Sequence, residues 1–280
     1  AHYGTHDLTD GVYWKLRDQL NNVVDEGKIS SRLFPLGSAD IIGDIKSDLS
    51  GITKPTKLTV EIGLERQPVV NFWDVWVYPS VVAENKSKVY TTNRLDAEAL
   101  KRLNRGENVL LDASELGSEL TADRIAFYPL YWSLTFFPGQ GRNTIGLLVQ
   151  DKHPAFLDFP TDSHSDWQWE SIYKGAKGFY INDFPKEYKP IAQPVDDFHR
   201  NNKLAGVFEL KVGKGKLLVS GFSLKDEKLP VARQLKTSLI NYMESDRFMP
   251  TYEPSLDRLK EMLVYVEPLK GVVTQEFNNP

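Results

Sequence analysis

The sequence predicts an α/β protein with an added β portion: a mainly parallel sheet preceded by a β-sandwich segment. Three observations carry this expectation. Between Lys57 and Glu65, Leu58, Val60, Ile62 and Leu64 alternate with polar residues, the period-two pattern of a strand with one wet face. Lys88 to Ala113 spaces strand, helix and strand as a βαβ unit requires, and such a crossover implies parallel pairing. Pro230 to Ser245 opens with Pro and repeats Val231, Leu235, Leu239 and Met243 every four residues, which is a helix.

The elements follow in order. Residues 1–82 read as β structure: Val12, Trp14 and Leu16 alternate with Tyr13, Lys15 and Arg17, and Asn71 to Tyr78 is an aromatic, β-branched strand stopped by Pro79. Gly27, Gly37, Gly43, Gly51 and Pro55 punctuate it at the spacing of a sandwich. Only four or five strands are credible where a sandwich has about seven, so the segment reads as the truncated edge of a domain. Residues 83–247 then form the α/β domain. Lys88 to Thr92 is a short strand, and Leu95, Ala99, Leu100 and Leu103 share a helix face that Asp96 caps and Gly106 ends. Asn108 to Ala113 contains the apolar run of a strand buried on both faces. Further strands are expected at Thr144 to Gln150, Gly178 to Ile181 and Ile191 to Val195. Leu204 to Val212 and Lys216 to Gly221 form a hairpin around Gly213-Lys214-Gly215. Residues 248–280 are an extension with a short helix at Ser255 to Val264.

Composition narrows the function. A net charge of −4 offers no phosphate-neutralising surface, so nucleic acid is not an expected partner. No run of eighteen apolar residues provides a membrane span, and Ala1 to Asp10 lack the apolar core of a secretion signal. With no cysteine, disulfides, thiolate metal sites and Cys nucleophiles are excluded together. The layout of the α/β half is that of the flavodoxin-like, class I glutamine amidotransferase-like group, whose enzymes attack with Cys at a strand-to-helix elbow. This chain has neither that Cys nor a Gly-x-Ser-x-Gly elbow in its place.

The candidate chemistry lies in two stretches. Asp162, His164 and Asp166 precede Trp167-Gln168-Trp169, and Asp196, Asp197, His199 and Arg200 follow Pro194. Carboxylate and imidazole suit a cation, but no ligand spacing here is diagnostic. Helix capping by Asp166 and loop anchoring account for the same residues, so no catalytic residue, metal or cofactor is assigned. Among the rings, Trp73 and Trp76 point to opposite faces of a strand, and Trp167 and Trp169 diverge by about 200° on a helix. For these, and for Tyr131 and Trp132, core packing is the expectation rather than sugar stacking. Gly213-Lys214-Gly215-Lys216 lacks the context of a phosphate loop and reads as a turn. Ser171-Ile172-Tyr173-Lys174 lacks the companion motifs of penicillin-recognising enzymes, and Asn85-Lys86-Ser87 is a formal glycosylation sequon of little weight.

His153-Pro154-Ala155-Phe156, His164-Ser165-Asp166-Trp167-Gln168-Trp169 and Pro194-Val195-Asp196-Asp197-Phe198-His199-Arg200 resemble the region after the catalytic barrel in bacterial family 2 type glycoside hydrolases. Trp14-Lys15-Leu16, Pro55-Thr56-Lys57-Leu58-Thr59 and Asn71-Phe72-Trp73-Asp74-Val75-Trp76-Val77-Tyr78-Pro79 resemble the last strands of the Ig-like sandwich in the same enzymes. The resemblance implies a non-catalytic accessory module that shapes the substrate cleft or packs on an upstream catalytic domain of the same polypeptide. Carbohydrate is the implied ligand, and the periplasm or the cell exterior the implied location. The barrel of those enzymes takes about 250 residues by itself, for which this chain has no room. Two other readings stay open. One is a carbohydrate-binding module, which needs exposed rings on one surface. The other is a free-standing hydrolase whose site is built around His164, Asp196, Asp197, His199 and Arg200.

Overall fold

The computed structural model describes residues 1–80, 87–126, 144–173, 175–226 and 228–266. Its strands are β1 (Leu8–Arg17), β2 (Val23–Phe34), β3 (Thr56–Leu64), β4 (Val70–Val77), β5 (Tyr90–Thr92), β6 (Asn108–Asp112), β7 (Ala122–Arg124), β8 (Thr144–Val149), β9 (Lys177–Tyr180), β10 (Ala192–Asp196), β11 (Leu204–Ala205), β12 (Val207–Val212) and β13 (Gly215–Ser220). Its helices are α1 (Ala97–Asn104), α2 (Trp167–Tyr173), α3 (Pro230–Glu244) and α4 (Leu256–Met262), with a 3-10 turn at Pro154–Phe156. The chain divides into two compact units. The first takes Ala1–Ser87, Leu148–Lys174 and Leu224–Phe248, and the second takes Lys88–Leu147, Gly175–Ser223 and Met249–Pro280.

The first unit holds one antiparallel sheet in the order β2-β1-β3-β4. The expected sandwich is therefore corrected: a single sheet forms, and other segments of the unit supply its packing. On one face lie Val12, Trp14, Leu16 and Leu58, all buried; Gly43 of the following loop approaches Ile29 on the same face. The opposite face carries Lys57, whose ammonium lies 2.9 Å from Asp74 and 2.8 Å from Asp162, just ahead of α2. Burial alone would lower the Lys57 pKa, but the hydrogen bonds and charges of these two carboxylates raise it above the ordinary lysine value. Two cross-strand pairs set glycine beneath an aromatic ring, Trp14 over Gly27 and Tyr13 over Gly63, where a Cβ would meet the ring at 2.7 and 2.5 Å.

The second unit contains a sheet ordered β5-β6-β13-β12-β10-β8 and a small antiparallel sheet ordered β11-β9-β7. Among the described residues strand outweighs helix, 35% against 17%, and the sheets are antiparallel or mixed. The expected flavodoxin-like, mainly parallel sheet is thus overturned. The βαβ unit exists: β5 and β6 are parallel through α1, and β13 joins β6 in parallel. The tight turn at Gly213, with φ at +59°, then sends β12 and β13 antiparallel, and β10 meets β12 antiparallel. A short turn can join only antiparallel neighbours, because parallel ones need a crossover of a dozen residues or more. Asp96 caps α1 by accepting from the Ala99 amide, and Gly106 closes it at φ +90°. The core gathers Leu103, Val109, Leu111, Phe179, Phe208, Leu217 and Val219, with Leu259 and Met262 of α4.

Two outcomes are expected. At Gly221 an added Cβ would lie 1.9 Å from the Lys177 carbonyl oxygen, so Gly221→Ala should cost about 3 kcal/mol in urea unfolding. An unchanged midpoint would contradict that packing. His153 caps the 3-10 turn by accepting from the Ala155 amide at 3.2 Å, with its ring edge-on to Tyr242, and burial lowers its pKa below the ordinary 6.5. A lowered imidazole pKa means stability is present above pH 6.5 and is lost as pH falls through the depressed folded value. His153→Asn keeps a capping side chain and should flatten the fall in urea midpoint between pH 8 and 5. An equal fall in the variant would exclude His153 as its source.

Candidate functional site

The residues singled out in the sequence fall into both units. In the second, β10 ends at Asp196, and the chain turns at once through Asp197 to Asn202 with Asn201 at φ +55°. The turn forms because the Asp197 carbonyl accepts the Arg200 and Asn201 amides, and its carboxylate accepts the His199 amide at 2.8 Å. Asp196 accepts both the backbone and side-chain amides of Asn202 at 2.9 Å. This geometry aims Arg200 back at the strand. Its guanidinium pairs with Asp196, lies 3.1 Å from Asp197, and reaches Asp123 of β7 at 3.1 Å. The Tyr180 hydroxyl of β9 donates to Asp123 at 2.6 Å. All three carboxylates are buried.

Burial alone would lower the Arg200 pKa; the hydrogen bond it donates to Asp196 and the three negative charges hold it above the ordinary arginine value. A guanidinium fixed by three carboxylates from two elements is a structural clamp. It joins β7 to the end of β10. His199 is brought beside Phe198, ring centroids 4.3 Å apart, and its ring is exposed.

The first unit contains the other stretch. Asp166 accepts the Gln168 amide at 3.1 Å and so starts α2, while its second oxygen accepts from the Asp162 amide, Thr161 and the Gln168 side chain. Burial raises the Asp166 pKa despite these bonds. Gln168 also donates to the Pro160 carbonyl and accepts from the Tyr78 hydroxyl. Trp169 is fully buried, edge-on to Phe156 and Phe159, and its indole donates to Thr161 at 2.9 Å. Trp167 stands 73% exposed on the opposite side of the helix. His164 is exposed and meets Leu148 only as a backbone bridge. Among the described residues no group of three or more His, Asp or Glu is arranged to hold a metal ion.

Trp76 packs half-buried against Lys57, whereas Trp73 is 48% exposed, so core packing fails for Trp73 as it does for Trp167. Tyr131, Trp132, Lys174, Asn85 and Lys86 lie outside the described residues. Sequence reasoning missed Asp123 and Tyr180, which sit in short strands with no alternation to reveal them. It also missed Asp112, Ser114 and Ser220 at the carboxyl ends of the parallel strands β6 and β13, where α/β sheets place ligands. A polar residue closing each apolar run was the available signal. Ser114 donates to Asp112 at 2.6 Å and Ser220 to the Phe222 carbonyl at 2.8 Å, so both hydroxyls are engaged locally.

The last surface of note is β4. It pairs with β3 on one side, and its outer edge has no backbone partner among the described residues. Phe72, 58% exposed, and Val70 project on one face; Trp73 and Val75 project on the other. The strand has no Lys, Arg or Pro, the residues that usually blunt an edge, and its one charge, Asp74, is held by Lys57.

If the clamp is structural, Arg200→Met should destabilise the protein by about 3 kcal/mol, because three buried carboxylates lose their shared cation. Arg200→Lys should recover part of the loss but not the fork geometry. Equal stability of Arg200→Met and the parent in urea unfolding would refute the clamp.

A model described as a domain of unknown function (DUF8487) matches residues 90–264, and one described as a domain of unknown function (DUF8488) matches residues 1–79. No curated protein matches the chain. No helix among the described residues is long and apolar enough to cross a membrane. With the first model spanning more than half of its length, the chain belongs to the DUF8487 family.

Proposed function

We propose that the chain is a non-catalytic accessory module of a larger carbohydrate-degrading protein of the glycoside hydrolase type, with a structural, cleft-shaping role. The observation that carries this reading is the apolar edge of β4, which has no backbone partner among the described residues and exposes large side chains on both faces. Soluble proteins guard such edges because they template pairing with another chain. An edge left unguarded, with Phe72 and Trp73 in view, fits a surface that other parts of a larger assembly cover. Two further points support the reading. The Asp and Arg residues of the acidic turn serve as a clamp, and the motifs quoted above resemble the accessory region of family 2 enzymes. Carbohydrate as the polymer acted on, and the periplasm or cell exterior as the location, belong to the same proposal.

The test has two parts. An antiserum against this chain should detect, in the cells that make it, a product much heavier than 31.9 kDa. That product, purified, should cleave at least one member of a p-nitrophenyl glycoside panel, while the chain alone cleaves none. A native band at 31.9 kDa, or hydrolysis by the chain alone, would overturn the proposal.

A further inference from the structure

The first unit contains an open cavity of about 480 Å³, built by the sheet, the segment before β1 and the loop after β2. That volume lies within the roughly 300–1,000 Å³ of small-molecule sites. Val12 of β1, Phe34 of β2 and Ile62 and Leu64 of β3 form an apolar floor, and the exposed residues Gln67 and Asn71 also line it. We propose that this cavity binds a neutral amphipathic small molecule, with an apolar ring or chain against the sheet and hydrogen-bonding groups at the rim.

Three features support that ligand class. The hollow is concave and open on one side, with apolar side chains of three strands beneath it, the form that small-molecule sites take. The lining has no Lys or Arg, and Asp40 is its one carboxylate; its imidazoles, His2 and His6, are bonded within their own segment, so a ligand phosphate or carboxylate would meet no Lys or Arg there. The wall formed by the segment before β1 is held by its own bonds. His2 Nε2 meets the His6 carbonyl at 2.9 Å, the Thr5 hydroxyl meets His6 Nδ1 at 2.9 Å, and the His2 amide donates to the Ser38 carbonyl. Among the described residues no side-chain hydrogen bond engages Gln67 or Asn71, whose amides can meet the polar groups of a ligand. Trp73 lies one pleat along the same face of β4 from Asn71, within reach of a longer ligand.

The proposal is independent of the accessory-module reading and is tested on the whole chain with a neutral fluorescent probe, N-phenyl-1-naphthylamine. Titration should show saturable binding at one site, with the anionic analogue 8-anilinonaphthalene-1-sulfonate binding at least tenfold more weakly. Ile62→Trp, which fills the hollow from its floor, should weaken the neutral probe at least tenfold. If circular dichroism shows that this variant is unfolded, Asn71→Trp at the exposed rim decides the matter by occluding the mouth without touching the core. Non-saturable binding, preference for the anion, or parent-like binding by a folded Ile62→Trp or by Asn71→Trp would each overturn the proposal.

Discussion

The buried indole of Trp169 is the contact on which the first unit depends. Phe156 and Phe159 meet it edge-on, and Tyr78 at the end of β4's strand run stacks on Phe159. Around this nest, α3 binds the same segment: Ser238 donates to the Ala155 carbonyl at 2.6 Å and Gln234 to the Asp158 carbonyl at 2.7 Å. Three stretches far apart in sequence thus share one aromatic core. Edge-to-face rings contribute about 0.5–1.5 kcal/mol beyond their area, and the partly buried Lys57 pairs with Asp74 and Asp162 accompany the nest. This explains why the unit's boundaries do not follow the matched regions 1–79 and 90–264: Leu148–Lys174 and Leu224–Phe248 lie in the second region and in the first unit.

The second unit rests on a different constraint. Its β5-α1-β6 crossover and the parallel entry of β13 place Asp112 and Ser220 side by side at the strand ends. Polar groups there are typical of ligand sites in α/β sheets, yet each is bonded locally. The Arg200 clamp then fastens the end of β10 to β7. Replacing one partner would leave buried charge without its counter-ion, which makes the clamp a demanding feature rather than a source of large net stability.

Much of this was legible in the sequence. Alternation at Leu58–Leu64 fixed β3, the four-residue step from Val231 to Met243 fixed α3, and the capping residues Asp96 and Gly106 bracketed α1. The edge strand β2 escaped notice because it is largely exposed, so its residues have no buried face to mark with apolar side chains. Sheet direction was misjudged because the βαβ spacing specifies one parallel pair, whereas the hairpin at Gly213, itself legible, and β10 beyond it add antiparallel ones. The candidate residues divided for a related reason. Asp166 and Asp196 carry the same chemistry, but what each carboxylate does depends on what the fold brings to it: Thr161, Asp162 and Gln168 donate to Asp166 at the start of α2, while Asp196 meets Arg200, which also reaches Asp123 on a distant strand. The cavity had no local signature, since its floor comes from three strands.

The central claim is that Trp169 unites the N-terminal sheet with the segments around α2 and α3. Hydrogen exchange of Trp169→Leu, read by mass spectrometry, tests it most directly. Faster exchange is expected in peptides covering β3 and β4, residues 56–77, together with residues 148–173 and 228–248. Faster exchange confined to the residues around α2, with the sheet and α3 protected as in the parent, would contradict it.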